Sequence, residues 1–251
     1  MSLTPARAQE AKPDAATIAA IAPSGVLRAA INLGNPVLAQ KDASGELKGV
    51  SVALAKALGQ TLGLPVKLIP YEEAGVTAAA GAKGEWDVAF LAIDPKRAEQ
   101  IDFTGPYVVI DGTYLVPANS RFRTARDLDA DGVRISVATG AAYDLFLTRT
   151  LKHAILVRAR NGADAIDLFR EGKVEATAGV GAALAETAKG HPEWRIVAPG
   201  FQTIEQAMAT PKGRPPAALA YVGAFVQARK ASGFVRQALD DSGQGDTAVA
   251  P

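Results

Sequence analysis

Arg97 is the residue whose setting most directly suggests chemistry. It follows the apolar run ending Phe90-Leu91-Ala92-Ile93 by a few residues and precedes Asp102-Phe103-Thr104-Gly105-Pro106-Tyr107, which reads as a compact turn. Asp94 is a preferred N-cap and Pro95 is favoured at the first helical position, so a strand over 86–93 should feed straight into a helix over 95–101. That puts Arg97 in a first helical turn, where the helix dipole disfavours a cation and an anion is called for. A surface carboxylate such as Asp102 or Glu99 could supply it, at little gain. So could a ligand: in open α/β sheets ligands collect beyond the carboxyl ends of strands, and an arginine grips a carboxylate with two parallel hydrogen bonds. The order of residues leaves both partners open.

Composition narrows the ligand classes. The 251 residues are 48% hydrophobic and 21% charged, with 27 basic against 26 acidic residues. A net charge of +1 gives no field for drawing in nucleic acid, so a small molecule is the expected partner. Cysteine is absent, which removes disulfides, thiolate metal sites and cysteine nucleophiles together. The only histidines, His153 and His191, stand alone, so neither a metal nor another cofactor is expected. No apolar stretch approaches the roughly 20 residues that span a bilayer. Ala6-Arg7-Ala8 has the small-x-small form that precedes a signal-peptidase cut. The expectation is an export signal already removed and a periplasmic protein.

The elements that must position Arg97 alternate. Strand patterns at 26–33, 66–70 and 86–93 are interleaved with a hairpin at 38–48 and helices at 50–62 and 73–83. In the longer helix Val50, Leu54, Leu58 and Leu62 recur every four residues, and Gly63 ends it. An extended stretch at 112–116 reads as a crossing segment. A new set then begins: a helix at 125–128, strands at 133–138, 155–159, 176–179 and 195–198, and helices at 142–151, 162–170 and 182–189. The chain should return to its first part near 206–209 and end in helices at 217–230 and 233–240. Such alternation predicts an α/β protein of two lobes, each a mostly parallel sheet flanked by helices.

Four phrases, in this order, carry a family resemblance. They are Lys41-Asp42-Ala43-Ser44-Gly45-Glu46-Leu47-Lys48-Gly49; Gly84-Glu85-Trp86-Asp87-Val88-Ala89; Arg97 with Ile101-Asp102-Phe103-Thr104-Gly105-Pro106-Tyr107; and Asp127-Leu128 before Val133-Arg134-Ile135-Ser136-Val137-Ala138-Thr139-Gly140. Together they resemble the periplasmic solute-binding proteins of family 3, the amino-acid-type receptors of ABC importers. The resemblance implies a type II periplasmic binding fold, with lobes that close on a solute through a two-stranded hinge. The first lobe would comprise 24–115 plus 208–251, the second 116–207, with 1–23 as an N-terminal arm. It further implies a monomeric, non-enzymatic receptor whose partner is an ABC transporter permease in the inner membrane, and Arg97 as the clamp on a solute carboxylate.

The same comparison exposes departures. The hydroxyl-rich stretch usual before the arginine is here Leu91-Ala92-Ile93-Asp94, and Asp94 brings a negative charge beside Arg97. Asn35 stands where an aromatic commonly stacks, and Asn32 where an aspartate is frequent. The second-lobe loop is Gly140-Ala141-Ala142-Tyr143, which keeps a helix start with amides for an anion but has lost two hydroxyls. No acid stands at Gly179-Val180-Gly181, where the partner of an α-ammonium would fall. A buried ammonium without a carboxylate costs several kcal/mol, on the order of the penalty for any unpaired buried charge. The expected solute is therefore a small carboxylate or amino-acid-like molecule other than a standard α-amino acid. Asp94, Glu72 or Glu73 could still meet a cation. Two alternatives stay open: a cyclohexadienyl or prephenate dehydratase-like enzyme on this fold, with Asp94 or Glu175 as general acid, and the sensing domain of a membrane receptor.

Overall fold

The computed structural model describes residues 13–251, so the reading of Ala6-Arg7-Ala8 lies outside it. The chain runs through α1 (Ala15–Ile21), β1 (Leu27–Asn32), the hairpin β2 (Gln40–Lys41) and β3 (Leu47–Lys48), α2 (Val50–Leu62), β4 (Val66–Tyr71), α3 (Ala74–Ala82), β5 (Val88–Ala92) and β6 (Ile101–Pro117). There follow β7 (Arg134–Ala138), α4 (Ala142–Thr150), β8 (Ile155–Ala159), α5 (Gly162–Arg170), β9 (Ala176–Val180), α6 (Gly181–Ala188) and β10 (Trp194–Ile196). The chain then returns through β11 (Gln202–Pro211) to α7 (Pro216–Ala231), α8 (Phe234–Asp241) and β12 (Ala248–Val249).

The strand order is β4-β1-β5-β11-β6-β9-β7-β8. Parallel pairs form at both ends, β4-β1-β5 in the first half and β9-β7-β8 in the second. Between them lie two long antiparallel strands, β6 and β11, paired with each other from Gly112 to Ile101. This is the expected architecture: two α/β halves joined by two strands. All five residues of β5 are buried, as a strand covered on both faces requires. The four-residue apolar repeat of α2 faces the core, and the helix stops at Gly63 in the left-handed conformation, φ 70°. Asp87, fully buried just before β5, binds Arg28 of β1 through Nε and Nη2 at 3.0 and 2.8 Å. Arg214, just after β11, reaches the same carboxylate at 2.8 Å and so ties the returning chain to the first half.

Several local expectations are corrected. The stretch 101–107 is not a turn but the start of the 17-residue β6, which also absorbs the segment at 112–116. Opposite Pro106 and Phe103 the pairing with β11 shifts register. Pro106 has no N–H to give the ladder, and irregular pairing lets the strand run on past it. The helix expected over 95–101 shrinks to a single 3-10 turn, Arg97–Glu99, and that over 125–128 is likewise 3-10. Residues 202–205 extend the return strand beyond the expected 206–209. Within the expected arm, Ala15–Ile21 forms a helix capped by Asp14 that packs against α7.

Candidate functional site

Arg97 sits where β5 hands over to its 3-10 turn, and only 5% of its surface is exposed. Among the described residues no carboxylate binds it. Glu99 pairs instead with Lys96, and the Arg97 guanidinium donates from Nη1 to the Ala92 carbonyl (3.0 Å) and from Nη2 to the Gly140 carbonyl (2.9 Å). Nε is buried with no hydrogen-bond partner among the described residues. Burial lowers the guanidinium pKa to about 10, with Asp94 acting in the opposite sense, so Arg97 stays a cation at neutral pH. Nε and Nη2 form one edge of the guanidinium, the edge that takes both oxygens of a carboxylate side-on. Here a single backbone carbonyl from the second half occupies part of it.

The surroundings of this contact explain its closeness. Gly140 has φ 71°, and a Cβ built there would lie 3.1 Å from the Cα of Gly75, in the first turn of α3. The two halves thus meet glycine to glycine beside Arg97. Asp94 adds a second bridge: one carboxylate oxygen accepts from the Lys96 amide at 2.8 Å, and the other pairs with Arg149 of α4 at 2.9 Å. Asp94 thus holds the Lys96 amide just ahead of the 3-10 turn, whose N-cap position is Lys96 rather than Asp94. Its charge is shared with a basic residue from the opposite half.

Part of the expected anion site at the start of α4 is already used. The Gly140 amide donates to Asp144 Oδ2 at 2.8 Å and the Ala141 amide to the Ala138 carbonyl at 3.1 Å. Asp144 also holds Arg158 at 3.0 Å, so it does more than complement the dipole. Asn32 and Asn35, both buried, turn their amide oxygens onto the Gly34 and Val37 amides at 3.0 and 3.2 Å. They shape the loop after β1. Leu91 packs with Ala30, Trp86, Ala89 and Ile101 in the core. Of this group, Ala92 contributes its carbonyl to Arg97, while Ala141 and Ala142 flank the helix start half-buried.

A cavity of about 810 Å³ opens between the two halves, and Arg97, Gly75 and Gly140 are not among the residues that line it. From the first half it is lined by Leu33 and Gly34 after β1 and by Glu72 and Glu73 after β4. From the second half come Arg160 and Asn161 after β8, Gly179 and Val180 of β9, and Tyr143 of α4. Every one of these groups lies at or beyond the carboxyl end of a parallel strand, where this sheet class places its ligands. Tyr143 and Gly179 are thus the two expected site residues that line it. Tyr143 is 8% exposed and its hydroxyl is pushed up to about 12 by burial, so it presents a neutral ring and hydroxyl. Arg149, Arg160 and Asn161 were not singled out by the sequence. For Arg149 the signal was present, since it lies seven residues, two helical turns, after Ala142 on the same face.

Among the described residues no helix is long and apolar enough to cross a membrane. Residues 27–241 match the model of the bacterial extracellular solute-binding proteins, family 3. Among curated proteins nothing matches. The solute receptor for L-cysteine of Neisseria gonorrhoeae is 26% identical, with a TM-score of 0.78 over 90% of this chain and 92% of that one. An amino acid ABC transporter substrate-binding protein of Streptococcus pneumoniae bound to L-arginine shares the fold at 22% identity, TM-score 0.77, over 90% and 98% of the two chains. So does an ancestral amino acid-binding protein described as a precursor of cyclohexadienyl dehydratase, at 24% identity and TM-score 0.76 with the same coverage.

Proposed function

Since the chain belongs to the bacterial extracellular solute-binding proteins of family 3, we propose that it is a periplasmic receptor that captures a small carboxylate or amino-acid-like solute between its halves and delivers it to an inner-membrane ABC permease. The observation that carries this reading is Arg97: a buried cation, held by two carbonyls, with no carboxylate and an unpartnered Nε among the described residues. A buried guanidinium is stable only when its donors are met, and the Nε–Nη2 edge offers a carboxylate two of them. The solute's carboxylate takes that edge as the Gly140 carbonyl leaves it. The two lobes, 24–115 with 208–251 and 116–207, open and close about β6 and β11, and the solute selects the closed form by its contacts to both.

A standard α-amino acid is disfavoured, because Gly179-Val180-Gly181 provides no acid for an adjacent ammonium and Asp94 is committed to Arg149. The same pairings speak against catalysis. Glu175 accepts two hydrogen bonds from the Arg134 side chain and has its pKa lowered chiefly by them, the reverse of what a general acid needs.

The test is a thermal-shift screen of the wild type and Arg97→Ala against carboxylates, amines and amino acids. A solute at 100 times its Kd should stabilise the wild type by about 2.7 kcal/mol. Stabilisation by carboxylates lacking an α-ammonium, lost in the variant, supports the reading. Carboxylate binding that survives the substitution rejects Arg97 as the clamp.

A further inference from the structure

Two side chains of the first half reach one element of the second. Arg97 Nη2 donates to the Gly140 carbonyl just ahead of α4 at 2.9 Å, and Asp94 Oδ2 pairs with Arg149 in the last turn of that helix, also at 2.9 Å. The Asp94 side chain is only 3% exposed, so water does little to screen its charge. Its other oxygen is met by the Lys96 amide at 2.8 Å, while the Lys96 ammonium is taken by Glu99. Asp94 also acts on Arg97 by charge, holding its proton on against the effect of burial. One buried carboxylate thus lies between two arginines, one from each half.

Resting on Arg97 as the carboxylate clamp, we infer that Arg149 is a specificity-determining residue: it crosses from the second half to take up the Asp94 charge and so leaves the Arg97 charge for an anionic solute. Without Arg149, a carboxylate held out of water has Arg97 as its remaining cation and neutralises the clamp from inside the protein. Arg149 meets Asp94 only when the halves meet. In the separated form Asp94 and Arg97, three residues apart on one half, satisfy each other, and closure exchanges that pairing for Asp94 with Arg149. Selection for an anion therefore belongs to the closed form.

Calorimetric titration with valerate of the wild type, Arg149→Met, Asp94→Asn, the double variant and Arg97→Ala tests this. If the ion pair only fastened the halves together, Asp94→Asn and Arg149→Met would break the same bond and shift affinity in the same direction. The charge role gives opposite signs: Arg149→Met should bind valerate about tenfold or more weakly, Asp94→Asn at least as tightly as wild type. Adding Asp94→Asn to Arg149→Met should restore affinity to within about twofold of Asp94→Asn alone. The Arg149 side chain is 42% exposed, so its replacement should leave the fold intact, as circular dichroism will check. Unchanged affinity in Arg149→Met, or a loss that persists in the double variant, overturns the inference and leaves the receptor reading standing. Wild-type binding that is absent, or that survives Arg97→Ala, removes the clamp and the inference with it.

Discussion

The Gly140 carbonyl oxygen lies 2.9 Å from Nη2 of Arg97, across the boundary between the two halves of the sheet. A backbone carbonyl there carries a partial negative charge and one good acceptor direction, against the full charge and two oxygens of a carboxylate. Gly140 is therefore a weak stand-in for the solute the arginine suits. On the proposed clamp, solute binding and the Arg97–Gly140 contact would compete for the same edge of the guanidinium.

Replacing Arg97 should separate binding from folding. Arg97→Met removes a buried cation and its desolvation cost but strands two carbonyls, so the terms nearly cancel and Tm should stay within about 4 °C of wild type. The response to carboxylates should vanish. Arg97→Lys, with one point charge in place of a planar fork, should lose at least about tenfold in affinity. Differential scanning fluorimetry with and without solute reads both, and a Lys variant that binds normally would refute the side-on clamp.

Gly140→Ala should weaken the contact between the halves. The substitution places a Cβ 3.1 Å from the Gly75 Cα and strains a backbone at φ 71°. Gly132, at φ 79° with open space around its Cβ, is the control for strain alone, about 1 kcal/mol. Small-angle scattering should give Gly140→Ala the larger radius of gyration, with Gly132→Ala unchanged. Equal radii would mean that the glycine contact does not hold the halves together.

What the sequence made legible was what depends on local periodicity. The Val50-Leu54-Leu58-Leu62 stripe with Gly63 marked α2, and the alternation of strands and helices marked two α/β halves. The Asp102 to Tyr107 stretch misled because glycine and proline usually punctuate turns, whereas here a register shift against β11 carries the strand past them. Arg97 was found by its place after β5. Its actual partners were invisible, because they are backbone carbonyls, which no residue type advertises, and Arg149 is brought to Asp94 only by the meeting of the two halves.

Asp94→Asn should tighten carboxylate binding and lower stability. The carboxylate is nearly inaccessible and pairs with Arg149, whose side chain is 42% exposed and can return to water, so the loss should be about 1 kcal/mol. Asparagine still accepts from the Lys96 amide, which keeps the turn. Removing the negative charge beside Arg97 should strengthen the arginine's hold on a solute anion by about threefold or more. Isothermal titration of both proteins decides it: weaker binding by the variant would assign Asp94 to the solute rather than to Arg149.

The pH dependence of binding should report Arg97 itself. Its pKa is held at about 10 by burial, below the ordinary guanidinium value, and a bound carboxylate would raise it. Binding therefore requires the protonated form: affinity for a simple carboxylate should be flat through neutral pH and fall as pH rises through about 10, by up to tenfold per unit. The stability contribution of the same group runs the other way. Above that pKa the unfolded chain keeps a proton that the folded one has lost, so the unfolded state binds more protons and Arg97's own term comes to favour folding as pH rises. Fluorescence titrations with valerate from neutral pH into the alkaline range check the sign. An affinity already falling near neutral pH would point to a group other than Arg97 as the anion's partner.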